Sequence, residues 1–183
     1  MKKIIYLIGL CFVGFVVSCS KKPKINVLQL KYISNSEISI ISDADLIWNP
    51  FGDLSSLQKS SNGIFKIKES VVLDSVNGKV VIKNLSFSRS FVKVAVVKDQ
   101  YELLAAEIRD PEISLVCQIK IGMSKLDFFK MITNEPEMNS LKSFNTIFIS
   151  DPLGESVTEK FLFKNDQLNE IIFKTEDYHF KNY

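Results

Sequence analysis

The side chain of this sequence best suited to covalent chemistry is the thiol of Cys19. It directly follows two valines and a small residue, Val16-Val17-Ser18, at the end of an apolar run. A cysteine thiolate is a nucleophile that can be alkylated. The first question is therefore whether the neighbouring segments present Cys19 to an enzyme that modifies it.

The other residues that could take part in catalysis or metal binding are weaker candidates. His179 is the single histidine and stands four residues from the last position, where an exposed tail side chain is expected. Cys117 lies in an apolar stretch and is expected to be a small buried residue. No nucleophile-elbow or phosphate-loop motif occurs. We expect no enzymatic activity, cofactor or metal, and we expect solvated turn carboxylates at Asp43, Asp45, Glu135 and Glu137.

The segment before Cys19 has the plan of a secretory signal peptide. Lys2 and Lys3 are followed by 14 apolar residues, 4–17, and then by Ser18. A transmembrane helix is the alternative, but it needs roughly 20 apolar residues. A cleavable signal at residues 1–18 is therefore predicted.

Val16-Val17-Ser18-Cys19 resembles the lipobox of bacterial lipoproteins. The resemblance implies that signal peptidase recognises Val16, Val17 and Ser18, and that Cys19 carries diacylglycerol and becomes the new N-terminus. Residues 19–24 would be a lipidated tether that holds the protein on a membrane. In such lipoproteins Ser20, rather than Asp, favours the periplasmic side of the outer membrane, and the inner membrane stays open as the alternative.

Removal of residues 1–18 changes the charge balance. It leaves 165 of the 183 residues and takes Lys2 and Lys3 from the 23 basic side chains, so that 21 basic residues face 21 acidic ones. A nucleic-acid binder needs a basic face. The neutral mature chain therefore predicts no nucleic-acid partner. Since only Cys117 would remain unmodified, no internal disulfide is expected.

Residues 25–111 are predicted to form a mostly β half. Charged and branched apolar residues alternate around 64–73, 79–87, 91–97 and 101–109. Asn77-Gly78 supplies the positive φ angles of a tight hairpin turn. Asp110-Pro111 is expected to end the last of these strands.

Residues 112–183 are predicted to form a half with a clearer pattern. Ser124 with Asp127 predicts a capped helix start, and Leu126, Phe129 and Ile132 are predicted to share one helix face. Three strands are expected at 143–150, 157–164 and 168–174, with a turn at Asn165-Asp166. Residues 47–58 contain a fainter helix signal. The expected fold class is therefore α+β, with short helices packed on an antiparallel sheet, and two tandem helix-plus-sheet halves are left open.

Gly122-Met-Ser124, Pro136 and the apolar hairpin of Phe161, Phe163, Leu168 and Ile171 resemble the SmpA/OmlA family of envelope lipoproteins, which includes BamE. The related β-lactamase-inhibitor-like fold has the same layout. Asn134 stands where that family has glycine, and both tolerate the left-handed conformation. The resemblance covers about residues 115–174 and implies a fold rather than an activity.

Together these features predict a non-catalytic lipoprotein that binds or assembles with another protein of the bacterial envelope. An inhibitor or immunity-type binder and a carrier or sensor of a small apolar ligand are the alternatives. Trp48 and Phe51 lie in a turn-forming segment and are the candidate partner-binding residues, with burial in the core as the other interpretation.

Overall fold

The structure is a computed structural model. It describes residues 27–42, 50–51, 63, 65–74, 78–97, 100–115, 118–133, 141–150, 152 and 157–175. Over these residues the chain forms nine strands and one α-helix: β1 (Val27–Ser34), β2 (Glu37–Ser42), β3 (Lys66–Asp74), β4 (Gly78–Phe87), β5 (Ser90–Val97), β6 (Gln100–Ile108), α1 (Lys125–Ile132), β7 (Thr146–Ser150), β8 (Val157–Lys164) and β9 (Gln167–Thr175). The described part contains no helix long and apolar enough to cross a bilayer.

All nine described strands belong to one sheet, in the order β1-β2-β7-β8-β9-β6-β5-β4-β3. Strands β3 to β6 form one meander and β7 to β9 another, and the two are joined by the antiparallel pair β6–β9. The hairpin β1–β2 lies at the far side, where β2 pairs with β7 in parallel. The sheet is therefore mixed.

The expected α+β class with tandem helix-plus-sheet halves is wrong. The described chain is mostly β, with one sheet and a single eight-residue helix. Strands from stretches 25–111 and 112–183 lie in the same sheet, because β6 pairs with β9 and β2 with β7. The faint helix signal within 47–58 falls largely outside the described residues.

Several local predictions are confirmed. The strands expected at 157–164 and 168–174 are β8 and β9, and Asn165 and Asp166 between them have φ angles of 52° and 59°. Such a two-residue turn matches the twist of a hairpin. Gly78 begins β4 with φ at 72°, opposite Asp74 at the end of β3.

The main core lies on the face of the sheet that α1 covers. Phe128 is fully buried, and its ring centroid lies 4.8 Å from that of Phe161 and 5.2 Å from that of Phe163. Ile38, Ile147 and Ile171 extend this core across the sheet. The other face carries a smaller buried cluster of Val80, Ile82, Ala95 and Leu104.

Candidate functional site

The loop that leads into α1 is fixed to the β8–β9 hairpin by backbone hydrogen bonds. The Gly122 N–H donates to the Leu168 carbonyl at 2.7 Å, and the Leu168 N–H donates to the Met123 carbonyl at 2.8 Å. Gly122 has φ at 87°, a conformation that costs glycine little. The start of α1 is therefore held in place by the first residues of β9.

Ser124 is the N-cap of α1, as predicted. Its Oγ accepts from the Asp127 N–H at 3.1 Å and donates to Asp127 Oδ2 at 2.7 Å. These bonds satisfy a helix-end amide that otherwise lacks a partner. The Ser124 hydroxyl is therefore part of the cap.

The predicted shared face of α1 is wrong in one position. Leu126 is exposed, whereas Lys125 is buried with Phe128, Phe129 and Ile132. The Lys125 Nζ donates to the Lys142 carbonyl at 2.8 Å and to Asn145 Oδ1 at 3.1 Å, and it pairs with Asp166 at 3.1 Å. These partners offset the cost of burying an ammonium group.

An open groove of about 870 Å³ runs beside the first turn of α1. This volume is within the range of ligand pockets. Its wall combines both charges with apolar side chains; the residues concerned are Glu112, Lys120, Met123, Asp127, Lys130 and Met131. No group of three His, Cys, Asp or Glu side chains that could hold a metal occurs among the described residues. The groove therefore offers a ligand both charged and apolar side chains.

A charged cluster lies on the face of the sheet opposite the main core. Arg109 contacts Glu107, and its Nη2 lies 2.9 Å from Glu170 Oε1. Burial raises the pKa of the Glu170 carboxyl, the neighbouring Glu107 raises it further, and Arg109 opposes the rise. Because β6 pairs with β9, this cluster joins two strands that are distant in sequence.

A second polar network holds the β4–β5 turn against the end of β6. Asp110 Oδ2 accepts from Ser90 Oγ at 2.6 Å and from the Arg89 N–H at 2.9 Å. Burial alone would raise the pKa of Asp110, but bonds from Ser90, Arg89 and Ser88 and the charge of Arg89 lower it below its ordinary value. These hydrogen bonds to the Asp110 carboxylate connect the β4–β5 turn to the residues that follow β6.

Glu159 is the buried polar side chain with the least compensation in the described structure. It is 0% exposed, and neither carboxyl oxygen has a hydrogen-bond partner among the described residues. Its strand neighbours are Ile149 on β7 and Phe173 on β9. Burial raises the pKa of Glu159 well above its ordinary value, which favours the neutral acid.

Most of the residues singled out from the sequence lie outside the described residues. These are Val16, Val17, Ser18, Cys19, Asp43, Asp45, Trp48, Cys117, Asn134, Glu135, Pro136, Glu137 and His179. Phe51 is described and buried, and its ring centroid lies 5.5 Å from that of Phe173. This contact agrees with the core interpretation of Phe51 and leaves little of its ring for a partner.

Sequence reasoning missed Glu159 and the cluster of Glu107, Arg109 and Glu170. Glu159 could have been found, because the period of two along β8 places it on the same face as Phe161 and Phe163. The cluster could not, because nothing local reveals the β6–β9 pairing.

Comparisons with protein-family models, with curated proteins and with solved structures find no match. The resemblance to the SmpA/OmlA family therefore stays a prediction.

Proposed function

We propose that this chain is a lipid-anchored lipoprotein of the bacterial envelope that acts as a non-catalytic protein-interaction module. One observation carries the proposal: two lysines, a 14-residue apolar run and Val16-Val17-Ser18 precede Cys19. This order of features suits export, cleavage and acylation of the thiol. We further propose the periplasmic side of the outer membrane as its location.

Acylation would give a lasting attachment. Each buried methylene of an acyl chain contributes ~0.8 kcal/mol of membrane affinity, and one chain alone binds reversibly. Diacylglycerol on Cys19 supplies two chains, so the protein would stay on the membrane surface without spanning it. Its folded part would then meet partners within the plane of the envelope.

The described surface supports a role in protein binding. Large apolar side chains are exposed on both edge strands of the sheet: Leu28, Tyr32 and Ile33 on β1, and Ile67, Val71 and Leu73 on β3. Single exposed apolar residues are normal, but grouped ones mark interaction surfaces. The groove beside α1 adds a concave surface with both charges.

The alternatives receive less support from the described residues. A carrier of a small apolar ligand needs a closed apolar cavity, whereas the groove beside α1 is open and has four charged side chains in its wall. An inhibitor-type binder would be favoured by a row of exposed aromatic rings. Tyr32 and Phe91 are exposed, but they lie on strands β1 and β5 at separate places in the sheet.

Metabolic labelling with palmitate tests the anchor. We expect the label in the wild type and its loss in Cys19→Ala, because the thiol is the acyl acceptor. Cys117→Ala is the matched control, since it removes another cysteine and should keep the label. Label that persists in Cys19→Ala would overturn the proposal.

Affinity purification from detergent-solubilised envelopes tests the interaction. The wild type should retain a specific envelope protein, and Cys19→Ala should retain less of it because that variant would leave the membrane surface. Recovery of no specific protein from the wild type under mild conditions would contradict the interaction role.

A further inference from the structure

The two edges of the sheet differ in regularity. The edge strand β1 pairs with β2 through a register with two irregularities, between Val27 and Gln29 and between Tyr32 and Ser34. The opposite edge strand β3 pairs with β4 over all nine of its residues without a register shift. Bulges are one of the devices by which proteins protect an edge from pairing. β1 has that protection and β3 does not.

The side chains of β3 also leave its edge accessible. Ile67, Val71 and Leu73 lie on one face of the strand and are 40%, 58% and 82% exposed. The strand contains no proline, which would have removed a backbone donor. A regular nine-residue edge with exposed apolar side chains is a template for another strand.

We propose that β3 pairs antiparallel with β3 of a second copy of this chain, about a two-fold axis that passes midway between the two Ser70 residues. In a two-fold interface, if residue i of one copy contacts residue j of the other, then residue j of the first copy also contacts residue i of the second. Centring the pair on Ser70 places Ile67 opposite Leu73 of the second copy and Lys66 opposite Asp74, each contact occurring twice. All nine residues of each strand then take part.

The charges of β3 fit self-pairing rather than repulsion. Proteins often protect an edge strand with charged side chains, especially lysine, whose like charges repel those of a second copy. β3 carries two charges of each sign, Lys66 and Lys68 with Glu69 and Asp74, so that the strand is neutral, and Glu69 already pairs with Lys83 of β4 at 2.9 Å. Opposite charges across strands stabilise a pair, whereas like charges destabilise it. The proposed register places a cation opposite an anion at each end.

Disulfide trapping tests the register. Residues opposite each other in antiparallel strands have Cα atoms about 4.5 or 5.5 Å apart, and a disulfide needs about 4.4–6.8 Å. Ser70→Cys in a Cys117→Ala background should therefore give a covalent dimer on mild oxidation of the detergent-purified protein. The background alone reports any dimer formed through Cys11 or Cys19, so that failed lipidation is distinguished from failed pairing.

Two further cysteine experiments test specificity. Ile67→Cys and Leu73→Cys copies should cross-link to each other when mixed, but neither should cross-link to itself, because those positions lie about 20 Å apart along the strands. Ser34→Cys on the β1 edge is the matched control and should stay monomeric. Equal cross-linking of Ser34→Cys and Ser70→Cys would indicate random collision and overturn the proposal.

Sedimentation in detergent provides a test without cysteines. The wild type should have the mass of two chains. Leu73→Lys should halve this mass, because it places a charge opposite Ile67 of the second copy. The fold should not change, since the Leu73 side chain is highly exposed. Leu28→Lys on the β1 edge is the matched control and should keep the dimer mass. A monomeric wild type, or dissociation by Leu28→Lys alone, would overturn the proposal.

Discussion

The unpartnered carboxyl of Glu159 makes a quantitative prediction about pH and stability. Burial raises the pKa of this group well above its ordinary value in the folded protein, while an unfolded glutamate has a pKa of about 4.3. As the pH rises above that value, the unfolded chain releases a proton that the folded chain keeps. The free energy of unfolding therefore falls with rising pH until the folded pKa is reached.

The slope of this loss follows from linkage. One proton bound in the folded state and absent in the unfolded state costs about 1.4 kcal/mol for each pH unit. Glu159→Gln keeps a neutral polar side chain of similar size and removes the titration. We expect the variant to match the wild type at pH 4 and to exceed it by about 1.4 kcal/mol more for each unit above pH 5, up to the folded pKa.

Urea unfolding of the purified protein between pH 4 and pH 7 measures this difference. The shifted carboxyls of Asp110 and Glu170 are present in both proteins, so their contributions cancel in the comparison. Glu112→Gln removes a carboxyl from an exposed position and is the matched control. Parallel pH profiles of the wild type and Glu159→Gln would refute the reasoning, because they would mean that Glu159 is charged in the folded state.

Two further predictions concern the polar contacts of the sheet and helix. Ser124→Ala should lower the free energy of unfolding by roughly 1 kcal/mol, because it removes the α1 cap; an unchanged urea midpoint would contradict this. Asp110→Asn should destabilise the protein at pH 7 by about 1–3 kcal/mol, and this loss should shrink as the pH falls through the lowered pKa of Asp110, where the wild-type carboxylate is also protonated. Unfolding at pH 7 and pH 3 measures both values, and an equal loss at both would show that the charge of Asp110 does not matter.

The most accurate predictions from the sequence concern features that depend only on residues close together in the chain. The cap at Ser124 and the turn at Asn165-Asp166 involve groups a few residues apart, and both are confirmed. The face of α1 was misassigned because burial of Lys125 depends on Asn145 and Asp166, which the fold brings to its ammonium group. The spacing of apolar residues along a helix cannot predict a buried lysine whose hydrogen-bond and ion-pair partners are distant in sequence.

The architecture was missed for a similar reason. An alternating pattern identifies a strand and its faces but does not specify its neighbour. The pairs β2–β7 and β6–β9 bring together residues such as Ile38 with Ile147 and Ala106 with Phe173. These two pairs merge the expected halves into one sheet. The β6–β9 pair also creates the Glu107–Arg109–Glu170 cluster, which is why that cluster had no local signal.

The two proposals together restrict how the protein sits on a membrane. The two-fold axis that pairs β3 with its copy stands perpendicular to the sheet at that junction. If both copies insert the lipids of Cys19 into one bilayer, the same axis must run along the membrane normal, because only then are the two anchors equivalent. The sheet at the β3 junction then lies parallel to the membrane surface. Under both proposals, residues 20–26 could span at most about 28 Å between a lipidated Cys19 and Val27, so Val27 at each outer end of the dimer would lie within that distance of the bilayer.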